Sequence, residues 1–248
     1  MRLTVLGGTG GYPGAGGACS GYLIEHDGFR LLVDPGYAIV PRLLGVLPAE
    51  AIDAVLVSHG HPDHVADLNP LLRARALRDD PAPRLPAYAV PDALGPVLAL
   101  DQIRALPGTC DLREFLPGDD LAIGPFEIQS RLLPHSIPNA GFRISAGGHS
   151  ITYTGDAAPS EALAELAAST SVLLAEATYV DSVPSGNVGA LNSALDVGRQ
   201  ADRAGAMHLI LTHLMPDADP DASRAAAARS YRGPVDVATA GMVVDLPA

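Results

Sequence analysis

Three histidines and an aspartate lie within six consecutive residues of the segment Ser58-His59-Gly60-His61-Pro62-Asp63-His64. The segment directly follows the apolar run Ala54 to Val57, which has the length of a buried strand. His59 and His61 are two residues apart, so an extended backbone would direct both imidazoles to the same side. Neutral imidazole and carboxylate are both ligands of Zn²⁺. The segment therefore predicts a site that divides its ligands between two metal ions.

Four more polar residues stand where predicted strands end. They are Asp34 in Leu32-Val33-Asp34-Pro35-Gly36, His135 in Leu133-Pro134-His135-Ser136, Asp156 in Tyr153-Thr154-Gly155-Asp156 and His213 in Leu209-Ile210-Leu211-Thr212-His213. Together with the histidine segment, their order and spacing resemble the metallo-β-lactamase superfamily, whose hallmark is H-x-H-x-D-H after a strand. The resemblance covers nearly the whole chain. In that family the early aspartate, here Asp34, lies near the site without binding metal.

The resemblance implies a dinuclear centre. It assigns His59, His61 and His135 to one metal and Asp63, His64 and His213 to the other, with Asp156 bridging both. Two Zn²⁺ ions are expected, and manganese and iron are alternatives because His and Asp ligands do not identify the metal. Two such ions share a hydroxide, formed near neutral pH, that attacks a phosphorus or carbonyl centre. Asp63 could also orient this hydroxide and is therefore a catalytic candidate.

Three segments are most similar to the ribonuclease Z and phosphodiesterase branch of the superfamily. They are Tyr153-Thr154-Gly155-Asp156, Glu176-Ala177-Thr178-Tyr179 and Leu211-Thr212-His213-Leu214. In that branch a histidine pairs with the glutamate and assists protonation of the leaving group, which makes Glu176 the second catalytic candidate. Here the position of that histidine is occupied by Leu191. Either the proton comes from another group, or the substrate has a leaving group that needs none.

Processing of transfer RNA is not expected. Members with that activity carry a long arm between the third-motif histidine and the bridging aspartate, whereas only about twenty residues separate His135 from Asp156. The formal net charge is −12, and the 16 basic residues, all arginine, are scattered. Binding of phosphates along a nucleic acid needs clustered cations. We therefore predict a small-molecule substrate.

Hydrolysis of a small phosphodiester is the leading hypothesis. The enzymatic alternative is hydrolysis of a lactone, a thioester or a β-lactam, because the same hydroxide attacks carbon. A lactone hydrolase would typically place a tyrosine near the metals, and Tyr179 or Tyr153 could be mistaken for that residue. A third alternative is a non-hydrolytic metal-binding member of the same fold.

The elements that must position these residues form two β-rich halves, each followed by helices. This order predicts an α/β protein with an αββα sandwich, in which two packed sheets are covered by helices. Helices are expected from Val65 to Leu77 and from Asp92 to about Leu106, and one β-stretch from Leu121 to Leu132. The glycine-rich segment Gly7 to Gly17 lacks a nucleotide-binding signature. Its glycines would let the backbone approach the site closely.

The length of 248 residues predicts one domain spanning residues 1–248. No apolar run reaches the ~18 residues of a membrane span. The run Met1 to Gly7 has the length of a strand and lacks signal-peptide features, so we expect a soluble cytoplasmic protein. Cys19 and Cys110 are far apart and are expected to be structural. A homodimer is expected from the resemblance, since many relatives are dimers.

Overall fold

The structure is a computed structural model that describes residues 1–100 and 108–246. The first of its two sheets has the spatial order β14-β1-β2-β3-β4-β5-β6, with strands numbered along the chain. These strands are β1 (Arg2–Gly7), β2 (Gly21–His26), β3 (Phe29–Val33), β4 (Ala54–Leu56), β5 (Leu85–Ala89), β6 (Cys110–Glu114) and β14 (Val243–Asp245). Strands β3 to β6 pair in parallel, and β14, β1, β2 and β3 pair antiparallel.

The second sheet has the order β13-β12-β11-β10-β9-β8-β7. Its strands are β7 (Asp120–Ile123), β8 (Phe126–Leu133), β9 (Asn139–Ala146), β10 (His149–Tyr153), β11 (Val172–Glu176), β12 (Leu209–Thr212) and β13 (Val235–Val237). Strands β10 to β13 pair in parallel. The predicted stretch Leu121 to Leu132 is a hairpin of β7 and β8, because Gly124 adopts a φ of 57° and turns the chain.

Helices cover the outer faces. They are α1 (Ile39–Leu44), α2 (Pro62–Val65), α3 (Leu68–Ala76), α4 (Gly95–Leu98), α5 (Glu161–Leu166), α6 (Ala194–Ala204) and α7 (Pro220–Ala228), with a short 3-10 helix at Ala49–Ala51. The predicted helix Val65 to Leu77 is wrong as one element: α2 ends at Val65 and α3 begins at Leu68. Of the helix predicted after Asp92, α4 covers four residues, and residues 101–107 lie outside the described part. None of the described helices is long and apolar enough to cross a membrane.

The distribution of buried apolar side chains accounts for the layered arrangement of the sheets and helices. Along β11, Val172 and Leu174 face the cluster between the two sheets, while Leu173 and Ala175 face the cluster under α5, α6 and α7. Successive side chains of a strand point to opposite faces, so a strand that is apolar throughout must be covered on both sides. On the other side of the molecule, Leu71 of α3 belongs to the same cluster as Val172 and Leu174, so this cluster also covers the outer face of the first sheet. The prediction of an αββα sandwich is confirmed.

The topology also places the polar strand ends. In parallel neighbouring strands, the carboxyl ends lie at one edge of the sheet, where ligands of open α/β sheets usually bind. The residues that follow β3 and β4 meet those that follow β10, β11 and β12 at this edge. The two sheets therefore contribute facing halves of one site.

Candidate metal centre

The structure brings together all seven residues that the sequence predicts as ligands. Their donor atoms form two groups, and within each group the atoms lie within 4.8 Å of one another; a third group, of Asp34, His59 and His64, overlaps with both. The first group is His59, His61, His135 and Asp156, and the second is Asp63, His64, Asp156 and His213. Asp156 belongs to both groups, as a bridging carboxylate would. The division of the seven residues matches the predicted assignment.

The loops that carry these residues come from both sheets. The chain leaves β4 through the fully buried Ser58 and His59, and Pro62 then begins α2, which carries Asp63 and His64. The remaining ligand candidates follow β8, β10 and β12, and they are His135, Asp156 and His213. His59 and His64 are 0% exposed, whereas His61 and His135 are only partly buried. Access from solvent is therefore on the side of the first group.

The distances within the groups are short. In the first group, His61 Nδ1 lies 3.1 Å from both His59 Nε2 and His135 Nε2. In the second, His213 Nε2 lies 3.1 Å from Asp63 Oδ2 and 3.2 Å from Asp156 Oδ2. Four of the five imidazoles thus present Nε2 to the centre, and His61 presents Nδ1.

Hydrogen bonds on the far side of two rings determine which nitrogen carries the proton. The ring nitrogen His64 Nδ1 lies 2.8 Å from the carboxylate oxygen Asp34 Oδ2, which can only accept. His135 Nδ1 lies 2.8 Å from the carbonyl oxygen of Ala190, which also only accepts. Both rings therefore carry a proton on Nδ1 and turn Nε2 toward the centre. Such outer partners fix the orientation and tautomer of metal-binding histidines.

Asp34 organises the second group without belonging to it. It is 0% exposed and accepts hydrogen bonds from the Ser58 backbone N–H at 2.7 Å and the Ser58 hydroxyl at 2.6 Å. The Tyr153 hydroxyl donates to it at 2.8 Å, as does His64. Since Ser58 Oγ–H points to Asp34, Ser58 Oγ accepts from His59 Nδ1 at 3.0 Å. The expected place of Asp34 near the site is confirmed by this geometry.

Charges in the second group favour a cation. Burial would lower the pKa of His64, but Asp156 and Asp34 raise it well above its ordinary value. Burial would raise the pKa of Asp156, but His213 and His64 hold it well below its ordinary value. In the first group, burial and the neighbouring His64 lower the pKa of His59, so this imidazole stays neutral.

Two buried polar atoms without hydrogen-bond partners indicate whether these residues fit a metal ion. His64 Nε2 and Asp156 Oδ1 are buried and have no hydrogen-bond partner, although they lie 3.2 Å apart. Buried polar atoms without partners are rare and costly. A divalent ion would be the missing partner of both, since imidazole nitrogen and carboxylate oxygen are its usual ligands. The donor set therefore fits the metal that the sequence predicts.

Glu176 lies behind the second group and does not reach into it. It is 1% exposed, and burial together with Asp156 raises its pKa to about 8. Its Oε2 accepts from the Thr178 backbone N–H at 3.0 Å and from the Thr178 hydroxyl at 2.8 Å. Thr178 Oγ1 in turn lies 3.0 Å from His213 Nδ1. Sequence reasoning did not identify Thr178 as a partner of the site, although the Glu-Ala-Thr segment marks its position.

The glycine-rich loop borders the same group. The Gly11 backbone N–H donates to Asp63 Oδ2 at 2.9 Å. A Cβ atom on Gly10 would lie 2.6 Å from His213 Nδ1, so only glycine lets the backbone pass so close to this ring. The segment without a nucleotide-binding signature thus contributes one wall of the metal centre.

The aliphatic Leu191 is partly buried in the segment that precedes α6. The neighbouring carbonyl of Ala190 accepts from His135 Nδ1. This segment therefore supports the first group, and Leu191 brings no titratable side chain to it. His208, one of the three other histidines, lies 2.8 Å from Asp236 and is not among the grouped donors.

Comparison with known proteins agrees with this geometry. Residues 29–214 match the family described as Beta-lactamase superfamily domain. The chain is 33% identical over 248 residues to the probable metallo-hydrolase YhfI of Bacillus subtilis, which covers 98% of this chain and 99% of that protein. The crystal structure of YhfI, a metallo-β-lactamase fold protein, has a TM-score of 0.89 at 32% identity, with 98% of each chain covered.

More distant structures share the fold. The short form of human tRNase Z has a TM-score of 0.80 at 20% identity and covers 100% of both chains. A diphosphatase of the PhnP family has a TM-score of 0.74 at 18% identity, with 99% of this chain and 98% of the other covered. On the family match, the YhfI relationship and the clustered His and Asp donors, the chain belongs to the metallo-β-lactamase superfamily and is a metal-dependent hydrolase of that fold.

Proposed function

We propose that this hydrolase binds two metal ions and cleaves a small phosphodiester. The observation that carries the proposal is the pair of donor groups that share Asp156. We assign His59, His61 and His135 to one ion, Asp63, His64 and His213 to the other, and Asp156 to both. Zn²⁺ is the proposed metal, with manganese and iron as alternatives.

Two bound divalent ions would supply Lewis acidity and would lower the pKa of water toward neutrality. The residues of the chain hold the ligands in place for this chemistry. Asp34 fixes His64, and the Gly11 N–H holds Asp63 Oδ2 in position. We propose that Asp63 both binds metal and orients the attacking water, because its carboxylate is 7% exposed and lies within the second group.

The surroundings of the first group support a small substrate. A cavity of about 430 Å³ beside His135 is lined by residues 132–138, mostly leucine, isoleucine and proline. A second cavity of about 210 Å³ lies against Gly60, the residue that separates His59 from His61 in the sequence. Among the described residues, no arginine lines either cavity. The residues between His135 and Asp156 form β9 and β10, so no arm extends there to hold transfer RNA.

The proposal is tested with bis(p-nitrophenyl) phosphate and a thiolactone as parallel substrates. Protein loaded separately with zinc and manganese is compared with the Asp156→Ala variant, and metal content is measured for each sample. Turnover of the phosphodiester that is lost in the variant supports the proposal. Turnover of the thiolactone alone, by protein that holds two ions, would replace it with carbonyl hydrolysis. Absence of both activities in such protein would favour a non-hydrolytic role.

Three further assignments belong to this proposal. One domain spanning residues 1–248 is supported by the apolar cluster that both sheets share. A cytoplasmic location and a homodimer also stay predictions. Size-exclusion chromatography with light scattering tests the dimer directly.

A further inference from the structure

We infer that Glu176 and Thr178 form a buried hydrogen-bond relay that holds His213 toward the second metal, rather than a device that protonates the leaving group. The inference rests on the proposed function only in taking His213 as a metal ligand. It gives Glu176 and Thr178 the role of positioning residues. The role of Glu176 is then independent of the histidine that Leu191 replaces.

The direction of each hydrogen bond follows from the donors present. The Thr178 backbone N–H donates to Glu176 Oε2 at 3.0 Å, so this oxygen is an acceptor. The Thr178 hydroxyl, 2.8 Å from the same oxygen, therefore donates its proton to it. With its proton so placed, Thr178 Oγ1 accepts from His213 Nδ1–H at 3.0 Å. His213 Nε2 is thereby turned toward Asp63 and Asp156, and in the metal-free protein it donates to Asp63 Oδ2 at 3.1 Å, in the place that a metal ion would take.

The surroundings of Glu176 exclude direct contact with a substrate. The side chain is 1% exposed, and Oε2 is bonded to Thr178. The residue ends β11, where its backbone pairs with Thr212, the residue that immediately precedes His213. The Ala177 N–H donates to the Thr212 carbonyl at 2.8 Å. Backbone pairing thus sets the relay at a fixed distance from the ring.

The backbone of His213 explains why such a relay is needed. Its φ is 57°, in the left-handed region that non-glycine residues seldom adopt. Conformations of this kind persist when the surrounding structure holds them. On one side the ring meets the backbone of Gly10, and at Nδ1 it meets Thr178. These two contacts hold the ring orientation that the second metal requires.

The test removes one hydroxyl. Thr178→Val keeps the shape of the side chain and deletes the relay, whereas Thr178→Ser keeps the hydroxyl. The matched control is Thr170→Val, because Thr170 is also buried and, among the described residues, its hydroxyl bonds to Ser150, Thr152 and Val172, away from the metal centre. Zinc affinity and stoichiometry are measured by competition with a chelator. Histidine ¹⁵N shifts of the metal-free protein report the hydrogen bond at His213 Nδ1.

We expect Thr178→Val to weaken binding of the second ion by about 10- to 100-fold, as loss of outer partners of metal-binding histidines does. Thr178→Ser should restore most of the affinity, and Thr170→Val should retain it. Wild-type affinity together with wild-type His213 ¹⁵N shifts in Thr178→Val would overturn the inference. These readouts need no substrate, so the inference stands or fails separately from the phosphodiester proposal.

Glu176→Gln separates the two roles for the carboxylate. A proton donor to the leaving group would make this variant slow only on esters with poor leaving groups. A positioning residue changes bis(p-nitrophenyl) and diphenyl phosphate turnover by the same factor, together with affinity for the second ion. A selective loss with diphenyl phosphate, at unchanged metal affinity, would contradict the relay.

Discussion

Replacing Asp34 by asparagine should destabilise the metal-free protein strongly. Asp34 Oδ1 accepts from the Ser58 backbone N–H, and Oδ2 accepts from three further donors, including Tyr153 and His64. An amide has one oxygen, so at least one buried donor would face its NH₂ group. Asparagine tolerates the φ of 49° at this position, so backbone strain does not contribute.

The size of the effect follows from these contacts. An unpaired buried donor costs about 1 to 3 kcal/mol, and each remaining hydrogen bond loses about 1 kcal/mol when its acceptor becomes neutral. The neutral amide is less costly to bury, which offsets part of the loss. We expect a net decrease of about 3 to 5 kcal/mol in the free energy of unfolding. Tyr153→Phe removes only one donor and should cost about 1 kcal/mol.

Urea unfolding of the metal-free variants measures both changes, with equal slopes required for a valid comparison. Zinc affinity provides a second readout, since His64 would lose the acceptor that fixes its ring. If Asp34→Asn cost no more than Tyr153→Phe, the assignment of Asp34 as the shared acceptor would be wrong.

Three other perturbations follow from the same geometry. In Gly36→Ala, the added Cβ would lie 1.8 Å from the Asp63 carbonyl oxygen, so zinc affinity and the thermal unfolding midpoint should fall; Gly95→Ala, whose Cβ meets no atom within 4 Å, is the control and should leave both unchanged. The pKa values of His64 and His213 are raised, so both imidazoles hold protons near neutral pH that a metal ion must displace. Zinc affinity should therefore fall as the pH falls. Calorimetry in buffers of different ionisation heat should show proton release on metal binding, and its absence would contradict this charge state. Free zinc at about 100 times its Kd should stabilise the fold by at most about 2.7 kcal/mol in thermal unfolding, the value for an unfolded chain that binds no metal, and no shift would mean that the folded state has no binding advantage.

The proximity of the seven candidate ligands was predictable from the family resemblance, because each of them comes at or shortly after the end of a recognisable strand. The apolar run before Ser58 and the run before His213 are buried strands of different sheets, and each has its carboxyl end at the edge where the two sheets face each other across the site. The sandwich was predictable for a related reason, since the apolar runs exceed what one face of a sheet can bury.

The parts that could not be predicted depend on contacts between distant residues. The division of the helix before Leu77 follows from Asp67, whose carboxylate binds the Val40 backbone N–H and whose own N–H binds the Pro35 carbonyl. The burial of Glu176 follows from the packing of β11 between two neighbouring strands. Neither contact can be predicted from the local hydrophobic periodicity of the sequence.

The arrangement of the ligands also bears on how metal and folding are coupled. Four donors lie within the six residues from His59 to His64, whereas the other three come from the second sheet. A histidine-rich hexapeptide can hold an ion as an unfolded chain, before either sheet exists. Metal bound to the denatured state reduces the stabilisation that the complete site delivers. The ion should therefore bind to the segment from His59 to His64 early in folding, and the ligands from the second sheet should complete its coordination later.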